Sequence, residues 1–382
     1  MAKLDFSKVP EYAGRQMFLD PAGPVTIQRY DDFRYQRMVD YVKAQRGAFW
    51  IPDEVTLLKD RIDYEQASEA MRFIFTMQLL RQTALDSEQG RAPAQVFTPV
   101  CSLPEAEAWA LWWTAFEQIH SESYSHIIRN IYQVSKDQFN SLHSVDEILG
   151  MLSGIDKYYH ELHVINSRQV VRDDLLEKKL LTSELDKVLY VSEHDHIKAI
   201  YKALIASYGL EAVRFMVSFT TSLAMNENKL FMGNGNIIKL ILADETLHTE
   251  ATAWMINTVV KDDYRFREVA HELKNEARDM LVQVVDEEKQ WAKFQFQKGN
   301  ILDLTETNMC NHVDRTASIR FGKIGVNYAT NYVAPIYPWF ESYLDSNSFQ
   351  AALQETEGTD YLVDILTTFM DVGKLPAIIK RY

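Results

Sequence analysis

Two cysteines, 14 glycines and 10 prolines in 382 residues are too few for a disulfide scaffold or a turn-rich β architecture. Cys101 and Cys310 stand apart with no paired metal spacing, which suits a reducing compartment. No apolar run approaches membrane-spanning length, and the opening Met-Ala-Lys-Leu-Asp-Phe-Ser-Lys has no apolar signal core. Positive charge is also short. Lys and Arg number 40 against 54 Asp and Glu, and the net charge of −14 argues against nucleic acid or an anionic membrane as partner. The expectation is a soluble, cytoplasmic protein. What the chain has in quantity is apolar side chain: at 47% hydrophobic residues it can bury a large core, and the scarcity of helix breakers leaves room for long helices. One all-α domain of more than usual size follows.

Its organisation is simple. Residues 1–30 hold Pro10, Pro21, Gly23 and Pro24 and read as an N-terminal arm, and residues 31–345 read as one helical domain. Short breaks fall near Gly90-Arg91-Ala92-Pro93, at Val134 to Val145, and at Met232-Gly-Asn-Gly-Asn236, the last a Gly/Asn turn feeding the next helix. Residues 346–382 begin with a polar stretch, Ser346 to Gly358, as expected of a linker before a flexible tail. There is no internal repeat and no low-complexity tract.

The chemistry lies in a recurring spacing. Glu-x-x-His occurs at Glu117/His120, Glu193/His196, Glu245/His248 and Glu268/His271. On a helix such a pair shares a face and aims a carboxylate and an imidazole at one point. Context separates the four. Glu268 and His271 lie off the apolar stripe of Phe266, Val269, Leu273, Ala277 and Met280, so their face is solvated. Ser192-Glu193-His194-Asp195 precedes an apolar run and reads as a helix cap with Ser192 as N-cap. Glu117 instead follows Trp109-Ala-Leu-Trp-Trp-Thr-Ala-Phe116, a helix apolar on nearly every side. Trp113, Glu117, His120, Tyr124 and Ile127 run along one face of it. Glu245 and His248 share an inward stripe with Ile238, Ile241, Thr252 and Ile256. A buried carboxylate without a partner is costly, so these two pairs call for one.

Two Glu/His helices plus one carboxylate from each of two others is how a four-helix bundle holds two metal ions. Glu211 interrupts the apolar segment Leu204 to Met225, and Asp86 ends the apolar helix that begins near Met71. Either alone reads more readily as an ordinary helix-surface acid; with the two pairs they complete a six-ligand set. Carboxylate and imidazole without thiolate suit iron, manganese or a mixed pair.

Asp86, the run Glu117-Gln-Ile-His120-Ser-Glu-Ser-Tyr124-Ser-His-Ile-Ile-Arg-Asn130, the run Leu210-Glu211-Ala-Val-Arg-Phe215-Met-Val-Ser-Phe219, and Asp244-Glu245-Thr-Leu-His248 resemble the small, radical-generating subunit of class I ribonucleotide reductase. The likeness runs from Phe49-Trp50-Ile51-Pro52 to the tail. It implies a ferritin-like helical bundle with a dinuclear centre, most simply di-iron, in its core. By position it implies Asp86, Glu117 and His120 on one metal, Glu211, Glu245 and His248 on the other, and Tyr124 as the radical site. It further implies a homodimer, a separate large catalytic subunit as partner, and a relay from Trp50 through Asp244 toward His120. The relay would end at Tyr361, in Glu355-Thr-Glu-Gly-Thr-Asp-Tyr361-Leu. The ending Gly373-Lys-Leu-Pro-Ala-Ile-Ile-Lys-Arg-Tyr382 departs from the acidic, Phe-containing terminus common in that family, with Ile378 and Ile379 as candidate anchors. A di-iron monooxygenase would share the ligand set. A ferritin-type iron store would be shorter and more regular at its ends. Asp86 as first carboxylate, Tyr124 and Tyr361 favour the reductase.

Overall fold

A computed structural model describes residue 12, residues 14–332 and residues 334–344, and regular structure among them is helical, with only isolated bridges such as Phe18 to Cys101. After an N-terminal segment laid against residues 100–102, α1 (Gln36–Gly47) and α2 (Leu58–Gln66) lead into the long helices α3 (Glu69–Gln89) and α4 (Pro104–Ile131). The short α5 (Ser135–Ser141) lies within the expected break at 134–145, before α6 (Asp146–Glu177) and α7 (Ser183–Leu189). Next come α8 (Glu193–Gly209), a π-helical turn at Leu210–Arg214, α9 (Met216–Glu227) and α10 (Met232–Asp262). The described chain closes with α11 (Tyr264–Glu272), α12 (Lys274–Gln295), α13 (Glu306–Lys323) and the single turn α14 (Pro338–Glu341).

Local chemistry explains where the helices start. Ser68 accepts the Met71 N–H at the head of α3, and Ser192 accepts the Asp195 N–H at the head of α8, the cap its sequence announced. Pro104 opens α4, where its missing N–H costs nothing. On α11, Glu268 and His271 are exposed, as the stripe requires.

One expectation is corrected. Met232-Gly-Asn-Gly-Asn236 is not a turn but the first turn of α10. The reversal falls earlier, at Phe231, a buried residue in the left-handed region with φ of 51°. Asp60 of α2 then caps α10 from outside, its two carboxylate oxygens accepting the Gly233 and Asn234 N–H groups at 2.9 and 2.6 Å. Gly233 is required there, because a Cβ would overlap the Thr56 carbonyl. Local residue statistics read Gly and Asn as a turn, and a tertiary cap overrides them.

α3 packs on α4, and α10 on α4, α8 and α9, so that α3, α4, the α8–π segment and α10 surround a common core. Trp109, Trp113, Phe116, Phe215, Phe219 and Ile241 are fully buried in it. No helix among the described residues is long and apolar enough to cross a membrane.

Candidate metal centre

Each of those four segments delivers its acids to one place. α3 brings Asp86, α4 brings Glu117 and His120, the π turn brings Glu211, and α10 brings Glu245 and His248; none of the six is more than 1% exposed. One donor atom each from Asp86, Glu117, His120 and Glu245 fall within 4.8 Å of one another, and the same holds for Glu117, Glu211, Glu245 and His248. The resemblance assigns Glu117 and Glu245 to separate metals; in the structure both acids belong to both donor groups. His120 Nδ1 lies 3.5 Å from Glu117 Oε2 and 3.3 Å from Glu245 Oε1. His248 Nδ1 lies 3.1 Å from Glu117 Oε1 and 3.8 Å from Glu245 Oε2.

The π turn matters to this convergence. Read as plain α-helix, residues 204–225 form one apolar rod; the wider turn at Leu210–Arg214 interrupts that register at Glu211.

The electrostatics are those of an acid cluster that needs cations. Burial, reinforced by neighbouring carboxylates, pushes Asp86 and Glu211 well above the usual carboxylate range. Burial also opposes charge on Glu117, yet the closeness of His120 and His248 outweighs it and brings Glu117 to about 2. Burial lowers the basicity of His248, but Glu117 and Glu245 more than reverse this and raise it to about 10. Asp86 Oδ1 and Oδ2, Glu117 Oε2, His120 Nδ1, Glu211 Oε2, both oxygens of Glu245 and both nitrogens of His248 have no hydrogen-bond partner in the protein. Buried polar atoms left in this way are costly, and cations would satisfy the carboxylate oxygens and one nitrogen of each imidazole. Oxygen and imidazole donors without thiolate fit iron or manganese.

Around this set is a ring of orienting groups. Asp244 Oδ2 lies 3.1 Å from His120 Nε2 and accepts the Trp50 indole N–H at 2.9 Å, while Gln45 donates to Asp244 Oδ1 at 2.9 Å. Trp50 and His120 are thus joined through one carboxylate, with ring centroids 6.4 Å apart. Trp113 Nε1 donates to Glu117 Oε1 at 3.1 Å and to Glu211 Oε1 at 2.7 Å. Gln45 went unread in the sequence. Trp113 stood only as a neighbour on the Glu117 face, although its place one turn before Glu117 is the signal that identifies it.

Tyr124 is 0% exposed, one turn past His120. Burial first, then the charge of Asp86, pushes its phenol well above the ordinary value, and the hydroxyl makes no hydrogen bond within ordinary geometry. Phe215, Phe219 and Ile241 are each fully buried, the two rings stacked at 5.1 Å. Tyr361 lies outside the described residues.

Known proteins share this sequence and fold. The family profile "Ribonucleotide reductase, small chain" matches residues 28–332. The beta subunit of ribonucleoside-diphosphate reductase 1 from Escherichia coli O157:H7 is 36% identical over 354 residues, 92% of this chain and 93% of that protein. The ribonucleoside-diphosphate reductase beta subunit of Enterobacteria phage T4 is 32% identical over 366 residues, 93% of this chain and 94% of its own. Among solved structures, a ribonucleotide reductase R2 subunit from Clostridium botulinum superposes with a TM-score of 0.72 at 18% identity, over 86% of this chain and 94% of that one. The dimanganese(II) NrdF of Streptococcus sanguinis superposes at 0.64 with 16% identity, over 83% and 98%.

Proposed function

The chain belongs to the ribonucleotide reductase small-chain family, and from that premise we propose how its buried residues generate and export an oxidising equivalent. It is a ferritin-like small subunit of ribonucleoside-diphosphate reductase, an oxidoreductase whose large subunit is its partner. The assignment of roles to residues is our reading. Asp86, Glu117, His120 and Glu245 hold one metal ion, and Glu117, Glu211, Glu245 and His248 the other. Iron is the metal that best fits the resemblance, with manganese or a mixed pair served by the same donors. A bound pair of this kind supplies the dioxygen-derived oxidising power of the centre.

The protein's part is to direct that power to one phenol. Tyr124 gives up an electron and its hydroxyl proton. Asp86, the strongest electrostatic influence on that hydroxyl, is the base placed to take the proton. Burial then preserves the resulting radical, because neither solvent nor reductant reaches a side chain that is 0% exposed. Export runs by way of Asp244, which orients His120 and accepts from Trp50. Trp50 passes the equivalent toward Tyr361 in the tail, and Tyr361 passes it to the large subunit, which reduces ribonucleoside diphosphates. We place the protein in the cytoplasm as a homodimer.

The observation that carries this reading is the sharing of Glu117 and Glu245 by two donor groups beside a buried tyrosine. Tyr124→Phe tests it. The variant should retain two metal ions per chain, lose the tyrosyl signal in electron paramagnetic resonance and lose most turnover. An undiminished tyrosyl signal would move the radical elsewhere.

A further inference from the structure

Glu211 uses its two oxygens unequally. Oε1 accepts two N–H groups, from Trp113 Nε1 and Gln89 Nε2, each at 2.7 Å, and Oε2 accepts none. Oε1, which also lies 4.0 Å from His248 Nδ1, is committed to donors of the protein, and Oε2 is left without one. The indole of Trp113 can only donate. Gln89 is different, because its amide rotated by half a turn would present a carbonyl to the carboxylate and repel it.

The orientation of that amide is fixed from behind. Glu211 accepts only, so Gln89 must turn its NH2 toward it, which leaves Gln89 Oε1 pointing away and in need of a donor. Tyr159 OH on α6 donates to it at 2.6 Å. A phenol has one proton, so once it is given to Gln89 the phenol oxygen becomes an acceptor. Ser207 Oγ on α8 lies 2.8 Å from it and also 3.0 Å from the Ala203 carbonyl. Gln89, Ser207 and Glu211 are 0% exposed and Tyr159 is 4% exposed, so water does not replace a missing link. Ser207 donates its own proton to the Ala203 carbonyl, so the chain of donors runs from Tyr159 to Gln89 to Glu211, both protons pointing toward the carboxylate.

We propose that Tyr159 is a positioning residue of the metal centre: by fixing the Gln89 amide it holds the Glu211 carboxylate in the orientation that leaves Oε2 free of protein donors. This rests on Glu211 being a ligand, as proposed above. Without the phenol hydroxyl, Gln89 Oε1 is buried and unpaired, the amide is free to turn, and Glu211 loses one of the two donors that hold its Oε1, keeping only Trp113. The effect should fall on the ion held with Glu211 and His248, and spare the one held with Asp86 and His120.

The test is a titration of full-length, metal-free protein with manganous ion alone, followed by electron paramagnetic resonance, which counts bound ions and reports the coupling of a pair. The parent should take up two ions. In Tyr159→Phe the weaker step should lose about tenfold or more in affinity, the range for groups that orient a ligand, and the coupled signal should diminish. The other step should be unchanged, and the melting temperature of the metal-free protein should fall only slightly, by the loss of one buried hydrogen bond. Gln89→Leu should behave alike, and Tyr159→Phe/Gln89→Leu should be no worse than Gln89→Leu, since Tyr159 acts only through Gln89. Parent-like binding by Tyr159→Phe would overturn the proposal, as would equal weakening of both steps with a markedly lowered melting point, or additive effects in the double variant. Glu211→Ala separates the two readings: two ions retained there would refute Glu211 as a ligand, whereas loss of one ion in Glu211→Ala but none in Tyr159→Phe would refute the positioning role alone.

Discussion

Glu288 on α12 offers a sharp test of how the π turn is held. One of its oxygens accepts the Val217 N–H at 2.8 Å, at the head of α9 just past the turn, and the other pairs with Arg81 on α3, the helix that carries Asp86. Both side chains of the pair are 0% exposed, and the guanidinium also lies over Trp291, 4.8 Å from the ring centre. Glu288→Gln keeps an acceptor for Val217 but removes the charge facing Arg81. An uncompensated buried charge costs roughly 3–5 kcal/mol, while the retained cap makes the backbone contribution small. Arg81→Met/Glu288→Gln removes both charges at similar volume and should regain most of that loss. Urea unfolding of the metal-free protein, followed by far-ultraviolet circular dichroism, measures both differences at constant slope. A single variant within about 1 kcal/mol of the parent would refute the reasoning, since such pairs cost more to break. So would a double variant no more stable than the single one.

Because Glu117 belongs to both donor groups, Glu117→Ala should empty the centre of tightly held metal, whereas His248→Ala should lose mainly one ion; elemental analysis after desalting separates the two outcomes. Burial holds His196 at about 4 and His312 at about 3, both below an unfolded value near 6.5. Their contribution is therefore complete above about pH 6.5 and is lost as pH falls toward 4 and 3, of order 3 kcal/mol each at pH 4. His312→Leu should accordingly flatten the acid limb of stability against pH, and an unchanged limb would show that His312 titrates normally. Tyr361→Phe changes one hydroxyl and should abolish turnover while leaving the Tyr124 radical and large-subunit affinity intact. Deleting residues 370–382 should weaken association, with turnover partly restored by excess large subunit. Full activity of the first variant would end the relay, and unchanged affinity of the second would end the docking role.

The contrast between what the sequence disclosed and what it hid follows the range of the interactions involved. Helical periodicity put Trp113, Glu117, His120, Tyr124 and Ile127 on one face, and all five are buried on one side of α4. The same argument excluded Glu268 and His271, which are exposed. Spacing fixes a face but not which donors of neighbouring helices a carboxylate meets, and the membership of Glu117 and Glu245 in both donor groups is visible only in three dimensions. Gln45, Gln89 and Tyr159 were silent because their partners lie 199, 122 and 70 residues away, and nothing local marks a glutamine or tyrosine whose hydrogen bond crosses between helices. The π turn was hidden for a related reason: Leu210 to Arg214 has an ordinary helical composition.

The cap that Asp60 places on α10 also bears on how the chain acquires this centre. Its two hydrogen bonds join residues 173 and 174 positions apart, so the first turn of the helix carrying Glu245 and His248 is completed only when α2 has come home. Closing so long a loop is slow compared with forming a helix, and contacts of this separation delay folding. During synthesis, α2 leaves the ribosome well before α10 and must wait for it. The head of the ligand helix is therefore completed only once residues far apart in the chain have met.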